Sequence, residues 1–147
     1  MNENTHTQGR VRIVHERCGQ VLSDDTIDNL IVTTGKNWEA ARKKNTGMPA
    51  ELGWMACGIG AIAPLAADTV LGAENGRVAL ATAGGTVAAN VVTYQGAFGP
   101  GVGTGALTEI GLFNAAAAGT MVSRATFPVK NKEAGDTLTF TWTHASN

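Results

Sequence analysis

The sequence predicts an all-β protein, and we expect an antiparallel β-sandwich of jelly-roll type with one short helix. Three observations favour this class. Residues 137–143 alternate, with Leu138, Phe140 and Trp142 on one face and threonines on the other, as in a strand with one buried face. Short apolar runs recur every ~10–20 residues. Glycine-rich turns separate these runs, since 19 of the 147 residues are glycine.

Two strands are predicted at the start of the chain. Residues 1–8 contain no apolar residue after Met1, and we expect a flexible N-terminal arm there, followed by a single sandwich domain at 9–147. Val11, Ile13 and His15 then alternate with the residues between them, which indicates a strand. Residues 27–33 form a second apolar and β-branched run, which follows an acidic turn predicted at 23–25.

One short helix is predicted at 37–44, because its alanine, arginine, lysine and glutamate residues are good helix formers. Asn37 is the expected N-cap. Gly47 and Pro49 follow the helix and disfavour its continuation. The basic cluster Arg42-Lys43-Lys44 has two interpretations: a solvated helix end, which the helix dipole favours, or a patch that contacts phosphate.

Six further strands are predicted, which gives eight in all. Each is a short apolar or β-branched run that ends near a turn residue, and they lie at 53–60, 76–83, 86–98, 107–114, 121–129 and 137–143. The strands at 107–114 and 121–129 flank a tip of small residues that ends in Gly119, which predicts a β-hairpin with a longer loop.

Composition argues against several classes of partner. The net charge is −1 and only 16% of the residues are charged, so no basic field for nucleic acid is present. No apolar run approaches the ~20 residues that cross a bilayer, and the first residues are polar, unlike a signal peptide. We therefore expect no nucleic-acid or membrane partner and a product that stays in the compartment where it is made.

Cys18 and Cys57 lack the spacing of a disulfide framework or zinc site and are expected to be free thiols.

No catalytic constellation is visible, and we expect no enzyme, cofactor or metal site. The glycine-rich segment 99–105 precedes a strand rather than a helix, so it predicts a turn and not a phosphate loop. The histidines His6, His15 and His144 have no accompanying metal-ligand pattern. The serines stand in no nucleophile elbow, and the carboxylates are scattered singly.

Three carboxylates are expected to be structural. Asp68 and Asp136 each follow a turn, where a carboxylate can accept hydrogen bonds from backbone N–H groups. Glu109 instead interrupts a strand of apolar or small residues. A charge there must reach solvent or a cation, so we expect either an ion pair with Arg124 on the facing strand or a contact at an interface.

Several motifs resemble, in the same order, segments of small structural proteins of tailed-bacteriophage virions. They are N-L-I-V-T-T-G-K-N-W-E-A-A-R at 29–42, G-I-G-A-I-A-P at 58–64 with the following Asp68-Thr69, Leu71 and Glu74, L-T-E-I-G-L-F-N-A at 107–115, G-T-M at 119–121, F-P at 127–128 and D-T-L at 136–138. The resemblance covers residues 27–143. One departure is the segment at 58–64, where such proteins usually have G-T-G-T-T-A-P.

The resemblance implies a structural virion protein, since such proteins are placed among capsid cement (decoration) proteins or are described as tail-fibre or minor structural proteins. Some of them resemble jelly rolls. It implies binding to the outside of the capsid and to the major capsid protein, a homo-oligomer (dimer or trimer) on the shell, and synthesis in the host bacterial cytoplasm. It offers no enzymatic residues to carry over.

Contacts with the shell or a neighbouring subunit are expected next to the arm, at Arg10, Val11, Arg12 and Ile13, or at the loops around Pro64 and Pro100. A tail-fibre or receptor- and carbohydrate-binding module is the alternative function. The shortage of exposed aromatic residues argues against it, because Tyr94 is the only tyrosine and the three tryptophans lie in or beside predicted core segments.

Overall fold

The computed structural model describes residues 8–44 and 46–146. Ten strands and one helix lie in that part of the chain. In order they are β1 (Gln8–Arg17), β2 (Gln20–Asp28), β3 (Leu30–Ile31), α1 (Thr33–Arg42), β4 (Trp54–Gly58), β5 (Glu74–Ala79), β6 (Thr86–Ala88), β7 (Val91–Phe98), β8 (Gly105–Phe113), β9 (Met121–Lys132) and β10 (Thr137–Ala145).

The strands form two five-stranded antiparallel sheets. The first sheet has the order β2-β1-β10-β7-β6 and the second has the order β3-β9-β8-β4-β5. The prediction of an all-β fold is confirmed. The finer expectation of a jelly roll is not established by this strand order. No helix in the described ranges is long and apolar enough to cross a membrane.

The main core lies between the inner faces of the two sheets. The alternation predicted for β10 is confirmed, because Leu138, Phe140 and Trp142 are fully buried while the threonines between them are half-buried. Phe140 meets Phe98 edge to face, with ring centroids 5.6 Å apart. Burial of each such side chain stabilises the fold by about 1.5–3 kcal/mol.

The acidic turn predicted at 23–25 is wrong, because these residues lie within β2. The turn falls instead at Cys18 and Gly19, whose φ angles of 52° and 75° suit a two-residue hairpin. Cations on β1 and on a strand of the second sheet pair with the acidic side chains of β2. Asp24 accepts hydrogen bonds from Arg12 of β1, and Asp25 pairs with Lys130 of β9.

Two of the eight predicted strands are each divided in the structure. The run at 86–98 is a hairpin of β6 and β7, since Ala89 has a φ of 51° and reverses the chain. The run at 27–33 contributes the end of β2, then the two residues of β3, and its last residue begins α1. The number of strands in the described residues is therefore ten rather than eight.

The helix begins earlier than predicted, at Thr33, and Asn37 is not its N-cap. The N-cap is Val32, and it makes no side-chain cap hydrogen bond. Contacts with other segments take its place, because the Thr33 N–H donates to the carbonyl oxygen of Ala66 (2.8 Å). Gly35 permits this position, since a Cβ there would lie 2.0 Å from the Val122 carbonyl oxygen.

The predicted arm lies mostly outside the described residues. Gln8 already belongs to β1, where it pairs with Ala145 of β10, and residues 1–7 lie outside the described ranges.

Candidate functional site

The segment at 59–73, which we call the β4–β5 loop, lies across the outer face of the second sheet. Leu71 packs there with Val32, Ala56, Phe113 and Met121 in a small hydrophobic cluster separate from the main core. The Ile59 N–H donates to the Ala73 carbonyl oxygen at the base of the loop (2.9 Å). The second sheet is therefore covered on both of its faces.

Glu109 of β8 holds the β4–β5 loop by its carboxylate. Its side chain is completely buried on the outer face of the sheet. One oxygen, Oε1, accepts hydrogen bonds from the N–H groups of Gly60 (2.9 Å) and Ala73 (2.7 Å), and Oε2 accepts one from Gly72 (2.9 Å). A single carboxylate thus joins both ends of the loop to the sheet.

Arg124 of β9 completes this arrangement. Its Nη2 donates to Glu109 Oε2 (2.8 Å) and to the Ile62 carbonyl oxygen (2.9 Å), and its Nη1 donates to Asp68 Oδ2 (3.1 Å). The predicted ion pair of Glu109 with Arg124 is confirmed. The predicted turn role of Asp68 is confirmed as well, because its Oδ2 accepts a hydrogen bond from the Leu65 N–H (2.9 Å).

The surroundings of Glu109 keep it ionised. Burial by itself would raise the pKa of this carboxyl. The hydrogen bonds from Ala73, Gly72, Arg124 and Gly60 outweigh burial, so the net pKa lies below its ordinary value. A buried carboxylate with several N–H donors and one guanidinium is electrostatically satisfied, and the loop conformation that supplies those donors is stabilised with it.

Three glycines make the close approach of the loop possible. A Cβ on Gly60 would lie 2.5 Å from Glu109 Oε1, and a Cβ on Gly58 would lie 2.4 Å from the Ala73 carbonyl oxygen. A Cβ on Gly72 would lie 3.2 Å from the Gly60 Cα. The G-x-G pattern at 58–60 therefore reflects the contact of the loop with Glu109.

The outward side of the β4–β5 loop is aliphatic. Ile59, Ile62, Leu65 and Val70 are 53%, 76%, 58% and 65% exposed, which is four of the ten large exposed apolar residues described. We call these four side chains the apolar patch. Chemically, such a patch can bury aliphatic surface against a partner, and it carries no group suited to catalysis.

Sequence reasoning missed the apolar patch, although it pointed to the loop through Pro64. Pro64 is half-buried within the β4–β5 loop. The sequence did contain a signal for exposed aliphatic residues. Ile62 and Leu65 stand between the glycines of 58–60 and Asp68-Thr69, in a segment with no strand or helix periodicity.

The remaining expected contact residues lie elsewhere. Val11 and Ile13 are fully buried in the main core, so their side chains are not available to a partner while the sandwich is intact. Arg10 and Arg12 are exposed on the outer face of the first sheet, and Pro100 is exposed in the loop between β7 and β8. These positions and the apolar patch belong to different elements of the fold.

Asp136 has more partners than its predicted turn role requires. It accepts a hydrogen bond from the Glu133 N–H (2.9 Å), which confirms that role. Arg17 also donates to both of its oxygens at 2.8 Å, and the His15 Nε2 lies 2.8 Å from Oδ2. The Arg17 hydrogen bonds, and secondarily that of His15, hold the pKa of Asp136 well below its usual range. The cluster joins the β9–β10 turn to β1.

The two cysteines differ in environment. Cys18 is exposed in the β1–β2 turn and Cys57 is buried in the core. Burial raises the pKa of the Cys57 thiol to about 12, so it remains protonated at neutral pH. Among residues 8–44 and 46–146, no group of three or more histidine, cysteine or acidic side chains is placed to hold a metal ion.

Comparison with protein-family models, with curated proteins and with solved structures found no match to this chain.

Proposed function

We propose that this chain is a structural virion protein that binds the outside of a tailed-phage capsid and cements neighbouring major capsid protein subunits. The observation that carries the proposal is the apolar patch, four exposed aliphatic side chains on a loop that Glu109 and Arg124 hold against the second sheet. A preformed surface of this kind suits a cement protein, because order present before binding lowers the entropic cost of association.

The size of the patch suits a contact that is used many times. Full burial of each aliphatic side chain contributes about 1.5–3 kcal/mol. Association itself costs roughly 4–15 kcal/mol, so one patch alone binds weakly. Oligomerisation as a dimer or trimer on the shell would link several patches and raise the overall avidity.

The resemblance to virion proteins supports the same proposal through the motif at 58–74. Gly58 and Gly60 of that motif pack against neighbouring backbone or Glu109, Asp68 pairs with Arg124, and Leu71 fills the cluster beneath the loop. The motif thus describes a segment that supports the apolar patch. We also propose the jelly-roll type for the sandwich, in keeping with the pairing of the first strand β1 with the last strand β10.

A charge-insertion experiment tests the docking surface. The variant Ile62→Asp/Leu65→Asp places two carboxylates in the apolar patch, and Val129→Asp places one on β9, at a residue that is 52% exposed. All three proteins are mixed with shells assembled from the major capsid protein of the same genome. We expect wild type and the Val129 variant to sediment with the shells and the double variant to remain unbound.

Equal occupancy by the double variant would contradict the apolar patch as the docking surface. Absence of wild-type binding to the shells would contradict the cement function itself. Copy number in purified particles then distinguishes the cement function from the alternative, a tail module. On the order of hundreds of copies indicates the shell, and a few copies indicate the tail.

A further inference from the structure

A cleft lies where α1 and the segment that follows it face β6, β7 and β10 of the first sheet. Its volume is about 400 Å³, within the range of small-molecule sites. Side chains from α1, from the segment that follows it, and from β6, β7 and β10 line the cleft. It brings together Trp38 and Tyr94, two aromatic residues that lie 56 positions apart in the sequence.

The floor of the cleft is aliphatic and aromatic and carries no charge at neutral pH. It is formed by Leu52, Val92, Tyr94 and His144. Burial, and to a smaller extent the charge of Glu39, raises the pKa of Tyr94 to about 12, so its hydroxyl remains a hydrogen-bond donor. Burial lowers the pKa of His144 to about 4, which leaves the imidazole neutral.

The rim of the cleft carries both signs of charge in equal number. Arg42 and Lys43 contribute two cations, and Glu39 and Glu51 contribute two carboxylates. An anionic ligand would face the two carboxylates, and a cationic ligand would face the two basic groups. A purely apolar ligand would cover charged side chains without offering them a hydrogen bond.

Part of the rim is held in position before any ligand arrives. Trp38 Nε1 donates to the Ala50 carbonyl oxygen (2.8 Å), and Arg42 Nη1 donates to the Pro49 carbonyl oxygen (2.9 Å). The Arg42 guanidinium carbon also lies 5.8 Å from the centroid of the Trp38 ring. These contacts join the last turns of α1 to the segment before β4, so the cleft does not have to form on binding.

We propose that this cleft binds a neutral saccharide of one or two sugar units. Each sugar hydroxyl both donates and accepts hydrogen bonds, so it can pair with cations and carboxylates on the same rim. The C–H faces of a sugar ring can pack against Trp38, Val87 and Val92, the apolar lining residues that are not fully buried. The proposal does not depend on a capsid location, because the cleft and the apolar patch are formed by different elements.

The test uses the full chain and ligand-observed saturation-transfer NMR. The probes are neutral monosaccharides and disaccharides, with N-acetylneuraminic acid as the anionic sugar and glucosamine as the cationic one. We expect a signal from at least one neutral sugar at millimolar concentration and weaker signals from both charged sugars.

Two variants place the binding in the cleft. Val87→Trp fills it from the rim at a residue that is 72% exposed, and Val129→Trp is the matched control on β9. The first should abolish the sugar signal and the second should leave it unchanged. Glu51→Gln removes one rim charge and should weaken binding about tenfold.

Three results would overturn the proposal: no neutral sugar bound by the wild type, equal binding by the Val87 variant once its thermal unfolding shows it to be folded, or a charged sugar bound in preference to the neutral ones.

Discussion

The outer faces of the two sheets each carry an ion pair, and the two pairs have almost the same N–O distance but differ in solvent exposure. On the first sheet, Arg12 and Asp24 lie 2.7 Å apart with side chains 58% and 44% exposed. On the second, Arg124 and Glu109 lie 2.8 Å apart with side chains 3% and 0% exposed. Water screens the first pair and is excluded from the second. Burial, rather than distance, therefore decides which pair the fold depends on.

The largest expected effect comes from removal of the Glu109 carboxylate. Glu109→Ala leaves Arg124 buried without its main partner and leaves three backbone N–H groups without an acceptor. We expect a loss of about 3–5 kcal/mol in the free energy of unfolding, measured by urea denaturation. Asp24→Ala is the matched control on the first sheet and should shift the urea midpoint much less.

A second variant identifies the cause of that loss. Glu109→Ala/Arg124→Ala removes both charges and should recover part of the stability, since the buried guanidinium that lost its main partner is removed too and Asp68, which loses Arg124, is partly exposed. Equal destabilisation by Glu109→Ala and Asp24→Ala would refute the distinction between the two faces.

Sequence-based predictions were correct where the pattern of neighbouring residues matched the burial of those residues in the fold. The alternation at 137–143 predicted which β10 residues are buried. Glu109 was recognised because a charge in an apolar strand requires a partner, and Arg124 on the facing strand supplied one. These inferences needed only the period of a strand and the cost of a buried charge.

The sequence was misleading where contacts from distant segments decide the local structure. The helix was predicted to begin at residue 37, whereas Gly35 already lies within it, because only a glycine can approach the Val122 carbonyl so closely. Asp24 and Asp25 were predicted to lie in a turn, but cations on β1 and β9 hold them in a strand. The apolar patch depends on Glu109 reaching the loop, a contact that sequence periodicity does not encode.

His144 is a buried ionisable group whose pKa, unlike that of Glu109, is shifted by burial alone. His144 lies on the inner face of the first sheet, where its Nε2 is 3.0 Å from Ser123 Oγ of the second sheet. Burial lowers its pKa to about 4 in the folded chain, against about 6.5 for an unfolded one. Between these values the unfolded chain takes up a proton that the folded chain does not.

Stability should therefore fall as the pH is lowered from about 6.5 to about 4, by about 3 kcal/mol from His144 alone. Glu109 contributes only at the acid end of this range, because its folded pKa lies below the ordinary value, so its stabilisation begins to be lost as the pH falls through that ordinary value. Urea titrations at several pH values measure the slope. His144→Gln should flatten it, and an unchanged slope would assign the pH dependence to other groups.

The smallest expected effect concerns hydroxyl groups on the two kinds of surface. Thr141 is half-buried on the outer face of the first sheet, and Thr141→Val keeps the β-branched shape while it removes the hydroxyl. Because water can solvate that hydroxyl in the folded state, we expect a change within about 0.5 kcal/mol.

Ser123→Ala is the matched deletion in the core and removes the hydrogen-bond partner of a buried imidazole, which should cost about 1–3 kcal/mol. Urea denaturation of both variants at pH 7.5, where His144 is neutral in folded and unfolded chains alike, compares them directly. A larger loss for Thr141→Val than for Ser123→Ala would show that the first sheet depends on its outer face as the second sheet does.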